Sequence, residues 1–190
     1  FIVTVDGNPL EPDIFRQLKE LGVEVINNEK RGGQTERIKQ LISLADSDIL
    51  ILTQDDIQFK PDALARIVEV FNDNPGVTMV GAKVIPSPAE TFFESIIEVG
   101  VRLNYRIATA LKNGDNYLLS SGRCLAFRSG WAKKFDIPEE IINSDAYFYF
   151  ENKRKGGVFR YAPNAIVYNK SPLRLREHLK QSKKFEYSKT

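Results

Sequence analysis

An α/β fold, with a mostly parallel central sheet flanked by helices, is predicted by three features of this sequence. β-Branched runs alternate with amphipathic stretches through the first half, and turn clusters separate them. One run, "DILILT" (48–53), shows no alternation at all, as expected of a strand buried on both faces. Strand–helix–strand units of this kind join parallel neighbours and lay their helices on the sheet.

The elements follow in order. "FIVTV" (1–5) is a β-branched strand ending at the turn cluster "DGNP". "PDIFRQLKEL" (12–21) has helical apolar spacing, and Gly22 is a C-cap candidate. "VEVIN" (23–27) is a strand, "NEKRGG" (28–33) a glycine loop, and "QTERIKQLISLA" (34–45) an amphipathic helix. After "DILILT", "PDALARIVEVFND" (61–73) is started by Pro61 and Asp62 and ended by "NPG", and "VTMVGAKVI" (77–85) is the next strand.

The second half is less regular. Residues 87–111 are helical in spacing, "NGDN" (113–116) breaks them, and "YLLSSGRCLAFRSG" (117–130) is strand-like around Ser121-Gly122. A helix from near Ser144 stops at Gly156-Gly157, two strands follow at 158–162 and 165–169, and a Lys/Arg-rich amphipathic helix covers 173–187. No internal repeat or low-complexity linker interrupts the chain, so one domain over 1–190 is expected.

Lys and Arg number 27 against 25 Asp and Glu, and a net charge of +2 gives no general reason to expect nucleic acid as partner. The single cysteine, Cys124, excludes an internal disulfide framework and points to a reducing, cytoplasmic setting. No apolar run approaches the roughly 20 residues that span a bilayer. The chain starts at Phe1 inside an apolar run, which suggests a piece of a longer protein.

Chemistry concentrates at "ILILTQDDIQF" (49–59), where Asp55 and Asp56 stand side by side at the end of an apolar run. In parallel sheets ligands collect at carboxyl ends of strands, and Asp6 falls at such an end as well. Adjacent carboxylates suit a hard cation such as Mg2+ or Mn2+, with phosphates supplying the other ligands. The alternative is that one caps a turn and the other is solvated. Asp145, at a helix start, is explained by the free N–H groups there, or serves as a general base if a hydroxyl reaches it. The loop "EKRGGQ" is a weak phosphate-cradle candidate without a Walker pattern. His178 reads as solvated, and "YFYF" (147–150) with Phe159 and Tyr161 reads as core. The terminal basic helix is either a solvated face or a face for anionic lipid or a phosphorylated ligand.

Taken in order, these pieces resemble the inverting glycosyltransferases of family 2, which include cellulose, chitin and hyaluronan synthases. The resemblance implies a GT-A-type nucleotide-diphospho-sugar transferase fold, with 1–85 as the nucleotide-sugar-binding half and 86–190 as the acceptor-binding and catalytic half. It implies that "FIVTVDG" is the family's second strand, so that the first strand would precede Phe1. Asp6 then contacts the nucleotide base, and Gly33 lies in the donor loop. Gln54-Asp55-Asp56 matches the Asp-x-Asp triplet, with Asp56 on the Mn2+ or Mg2+ ion, Asp55 on the donor side, and Gln54 replacing the ribose-binding Asp. Ser121, Gly122 and Arg123 match a segment lining the acceptor side. Asp145 matches the catalytic base, with Ser144 replacing a Glu, and Asn169 stands where many members carry a His ligand. Gln181, Lys184 and Phe185 are similar to a Gln-x-x-Arg-Trp signature.

The implied activity is metal-dependent transfer from a nucleotide-diphosphate sugar to a glycan or lipid-linked hydroxyl acceptor, with inversion. It implies work in the cytoplasm, at the inner membrane face if a surface association exists. Two other classes are compatible with the residues: a nucleotidyltransferase, and a non-catalytic nucleotide-sugar-binding or assembly module.

Overall fold

The computed structural model describes residues 1–169 except Glu90, Glu140 and Ile142, and only the backbone of Phe93. The chain forms two compact units, the first from Phe1–Asp46 with Ile137–Ile141, the second built on Ser47–Asp136 and resuming after Ile141.

The first unit contains β1 (Ile2–Asp6), α1 (Pro12–Glu20), β2 (Glu24–Asn28) and α2 (Gly33–Leu44), with β1 and β2 paired in parallel. Pro12 opens α1 where its missing N–H costs nothing. The helix stops in a left-handed turn: Gly22 has φ +72, its N–H donates to Lys19 O at 2.9 Å, and Val23 N–H donates to Leu18 O at 2.9 Å. That double bond pattern satisfies the last carbonyls and turns the chain into β2.

The second unit contains β3 (Ile49–Thr53), β4 (Ile57–Phe59), α3 (Ala63–Asp73), β5 (Val77–Pro86), α4 (Phe92–Ala110), β6 (Cys124–Arg128), α5 (Ser129–Ala132), α6 (Ser144–Arg154) and β7 (Val158–Asn169). Its strands lie in the order β3-β6-β5-β7-β4. The expected mostly parallel sheet is instead mixed. β6 is antiparallel to both β3 and β5, β4 is antiparallel to β7, and β5–β7 is the parallel pair. The physical reason is visible in β6: Cys124, Leu125, Ala126 and Phe127 are all at most 2% exposed, so this apolar run takes a central place between strands that alternation alone makes neighbours.

Two further expectations are corrected. Ser121-Gly122 is a turn ahead of β6 rather than part of a strand. The strands read at 158–162 and 165–169 are one strand, with the register against β5 shifting between Ala82 and Lys83. Pro163, which has no N–H to give the ladder, sits in that irregularity.

One face of the sheet packs Val80, Ala82, Val84, Ala162 and Val167 against Ala63, Ile67 and Phe71 of α3. The other face holds an aromatic cluster in which Phe127, Phe135 and Phe148 meet at centroid distances of 5.5–5.9 Å. Of the "YFYF" run, Phe148 and Tyr149 are buried as core and Phe150 faces solvent. Burial pushes the Cys124 thiol up to about 12, which makes it an inert core residue.

Candidate active site

The end of β3 and the entry to β6 share one edge of the second unit, because Thr53 lies opposite Cys124 in an antiparallel pair. Thr53 Oγ1 donates to Arg123 O at 3.0 Å and ties the two segments together. Gln54, Asp55 and Asp56 therefore leave the sheet beside Ser121, Gly122 and Arg123. The far strands converge on the same edge: Ile57, next to Asp56, pairs with Asn169 of β7, and Asn169 pairs with Pro86 of β5.

Gln54, Asp55 and Asp56 are exposed. Among the described residues, neither the Asp55 nor the Asp56 carboxylate has a hydrogen-bond or ion-pair partner, so no described side chain neutralises them. Arg123 is exposed as well, with its carbonyl taken by Thr53.

Asp145 lies in the first turn of α6, whose N-cap is Asn143, its side-chain oxygen accepting from Ala146 N–H at 3.2 Å. Ser144 Oγ donates to Asp145 Oδ1 at 3.2 Å, and the buried Ser120 donates from Oγ to the Asp145 carbonyl at 3.0 Å. The carboxylate rests on the backbone of Gly122, where an added Cβ would stand 3.0 Å from Asp145 Cγ and nearer still to Oδ1. From Asp56 to Asp145 the connection is thus short: the end of β3, the Thr53–Arg123 bond, then the Gly122 turn.

α6 is held in place from its middle. Tyr149 OH donates to Asp115 Oδ1 at 3.0 Å, and Lys153 Nζ lies 2.6 Å from Asp115 Oδ2. Burial, then the Asp115 carboxylate, push the Tyr149 phenol up to about 12, so it stays protonated as a donor. Glu151 is held at about 2, chiefly by the Arg154 guanidinium at 2.7 Å. Ser120 and Asp115 had no sequence signal beyond membership of turn-like runs, because their partners lie 25 and 34 or more residues away.

In the first unit, Asp6 at the end of β1 accepts N–H bonds from Gly32 at 2.8 Å and Gly33 at 2.9 Å. Arg37 Nε lies 3.3 Å from Asp6 Oδ1. These glycine amides, first Gly32 and then Gly33, hold the carboxyl below the usual aspartate range. Gly33 has φ +78, a conformation glycine adopts without strain. Asp6 thus closes the glycine loop onto β1, whatever else its remaining lone pairs meet. Gln181, Lys184 and Phe185 lie outside the described residues, as does His178.

Whether this edge fits a metal turns on its donors. Among the described residues, no group of three or more His, Cys, Asp or Glu side chains encloses a metal position. The carboxylates of Asp55 and Asp56, exposed and without a partner among the described residues, are hard oxygen donors. That set fits a Mg2+- or Mn2+-type ion that keeps most of its coordination for phosphate and water, and does not fit an all-protein cage.

Solved structures place the fold in a class. A mannosyltransferase, PcManGT from Pyrobaculum calidifontis, in complex with GDP-Man and Mn2+, superposes with a TM-score of 0.70 at 16% identity, over 94% of this chain and 49% of that one. GalNAc-T7 with UDP, GalNAc and Mn2+ superposes with a TM-score of 0.65 at 12% identity, over 90% of this chain and 38% of that one. The fold is that of the GT-A glycosyltransferases, and the chain spans about half the length of the first of these structures. Residues 49–188 match the family described as Glycosyl transferase family group 2, and the chain belongs to that family. No curated protein matches the chain.

Proposed function

We propose that this domain is a metal-dependent inverting glycosyltransferase, moving a sugar from a nucleoside diphosphate sugar to a hydroxyl of a glycan or lipid-linked acceptor. The observation that carries the reading is the edge on which unneutralised Asp55 and Asp56 and the buttressed Asp145 are joined through Thr53–Arg123 and Gly122. Exposed adjacent carboxylates repel each other and gain nothing from the core, so their placement there favours a cationic ligand.

In this reading Asp56 holds the ion, with Asp55 and Gln54 on the donor side. The bound ion supplies charge stabilisation for the departing nucleoside diphosphate. Asp145 takes the proton of the acceptor hydroxyl; Ser144 Oγ and the Gly122 backbone fix the direction in which its carboxylate faces. Ser121, Gly122 and Arg123 line the acceptor or diphosphate side. Asp6 and Gly33 form the donor loop of the first unit, where Asp6 orders the glycine amides. Gln181, Lys184 and Phe185 add to the diphosphate side on the strength of the sequence resemblance alone.

The two solved relatives carry different nucleotides, GDP-Man in one and UDP in the other, so both donor classes enter the test. Turnover of GDP- and UDP-sugars is measured with and without Mn2+, for the wild type and for Asp145→Asn. Loss of a general base lowers turnover by about 10²- to 10⁴-fold. Donor binding by calorimetry should stay intact. Binding without any turnover in the wild type would favour the assembly module, and pyrophosphate release from a nucleoside triphosphate would favour the nucleotidyltransferase.

A further inference from the structure

A groove of about 1000 Å3 runs between α4 and the last residues of β5 and β7, all within the second unit. That volume lies at the top of the range for ligand pockets, about 300–1,000 Å3, so the groove suits a chain of rings better than a single one. Its floor is aromatic. Tyr161 and Tyr168 of β7 line it with Tyr105 of α4, and the Tyr105 and Tyr161 rings lie 6.3 Å apart at 28°. Its wall is a polar face of α4, where Ser95, Glu98, Arg102, Arg106 and Thr109 recur at three- and four-residue spacing. Flat rings bordered by polar side chains suit a saccharide, whose C–H face meets an aromatic ring and whose hydroxyls need donors and acceptors.

The charges decide which saccharide. Glu98 is paired with Arg102 and cancels it. Lys83 and Arg106 remain, and among the described residues neither cationic group has a hydrogen-bond or ion-pair partner. Lys83 is the one charge of β5, half-buried between Ala82 and Val84, which pack on the core beside α3. An ammonium placed there gives up part of its hydration, and an anion entering the groove makes good the loss.

The groove also reaches the edge described above. Tyr105 OH accepts the Val84 N–H at 2.9 Å, beyond Gly81, the last β5 residue paired with β6. Burial pushes the Tyr105 phenol up, while the Val84 bond and the nearby Arg123 guanidinium act against it. Pro86 and Tyr168 line the groove as well, and Pro86 pairs with Asn169, which lies opposite Ile57 and so next to Asp56. A chain lying in the groove is thereby directed at the edge that carries Asp56, Arg123 and, through Gly122, Asp145.

We propose that this groove is the acceptor subsite for an acidic saccharide chain, with Tyr161 and Tyr168 under the sugar rings and Lys83 and Arg106 meeting its carboxylates. That the chain is an acceptor rests on the transferase reading; that it binds here rests on the groove alone.

Calorimetry on the full chain tests it with tetragalacturonate, tetramannuronate and the methyl ester of each, which keeps the rings and removes the charge. At least one acid should bind, more weakly in high salt, and its ester should bind about tenfold less tightly. Lys83→Met keeps the stem and loses the ammonium, and Arg106→Gln changes an exposed position. Each should weaken binding of the acid about tenfold while leaving the ester, the melting temperature and donor hydrolysis unchanged. Tyr161→Leu should weaken acid and ester alike. Failure of both acids to bind, equal binding of acid and ester, or wild-type binding in both charge variants overturns the proposal. So does displacement of the acid by inorganic phosphate at equal concentration, which marks an anion site without recognition of sugar. A wild type that binds the acid but turns over no nucleotide sugar keeps the subsite and counts against the transferase; turnover with a neutral acceptor and no binding of either acid does the reverse.

Discussion

Gly122 and Asp145 are packed so closely that a Cβ at position 122 would stand 3.0 Å from Asp145 Cγ and nearer to Oδ1. The glycine is needed for what it lacks: its backbone is the surface on which the carboxylate rests. Gly122→Ala should rotate Asp145 off that surface and away from the acceptor hydroxyl proposed for it. A displacement of about 1 Å in such a group costs on the order of 10²-fold in rate. The expected result is a kcat lower by about that factor, with Mn2+-dependent binding of a nucleoside diphosphate unchanged in calorimetry. A variant with wild-type kcat would show that Asp145 does not depend on this contact, or that it is not the base.

Asp56 carries the complementary prediction. Its carboxylate is exposed and, among the described residues, without a partner, so removing it strands no described cation and opens no core. Asp56→Ala should therefore fold like the wild type, within about 0.5 kcal/mol. The Mn2+-dependent affinity for a nucleoside diphosphate should fall on the order of 10–100-fold or more, since even indirect metal partners are worth that much. Chelation of the wild type should abolish turnover, and added Mn2+ should restore it. Unchanged Mn2+ titration in the variant would place the ion elsewhere.

Asp6 makes a prediction about acid. The Gly32 and Gly33 amides hold its folded pKa below the ordinary aspartate value of about 4. A group with a depressed folded pKa contributes stability above its unfolded pKa and loses it as pH falls through the folded one. The glycine loop should stay closed through neutral pH and open only below about pH 4. The backbone resonances of Gly32 and Gly33 report this directly: they should titrate together in that acid range. In Asp6→Asn the titration should vanish. Titration of both amides near neutral pH would mean that another group closes the loop.

How much of this was readable from the residues depends on distance along the chain. Asp55 and Asp56 stood out because two carboxylates ending an apolar run need a local reason, and the structure leaves them exposed at a strand end. The place of Asp145 at a helix start followed from the pattern after Asn143. The position of β6 did not, since "CLAF" declares burial but not which strands it separates; that is decided by long-range packing. Asp6 shows the same limit. Its sequence setting suggested a ligand contact, while its carboxylate is engaged by amides 26 and 27 residues away. Ser120 is likewise an ordinary turn serine until α6 is brought over it.

Asn152 offers a test of the scaffold behind the site. It is fully buried in α6, and its Oδ1 accepts from Thr78 Oγ1 at 2.7 Å and from Trp131 Nε1 at 2.9 Å. Gly157 leaves room for it, since a Cβ there would lie 2.7 Å from Asn152 Cγ. One side chain thus joins α6 to β5 and to α5. Asn152→Ala strands the Trp131 N–H, while Thr78 keeps the Val158 carbonyl at 3.1 Å as an alternative acceptor. The loss should be about 1–3 kcal/mol, from one part-buried donor left without its acceptor and a small cavity. Urea unfolding followed by the fluorescence of Trp131, the single tryptophan, measures it as a lower midpoint at an unchanged slope. Asn152→Asp separates hydrogen bonding from packing. It keeps the acceptor and the shape but buries a charge, so it should be less stable than the wild type at neutral pH and recover as pH falls and the carboxyl protonates. If Ala and Asp behave alike at every pH, the two accepted hydrogen bonds are not what holds α6 in place.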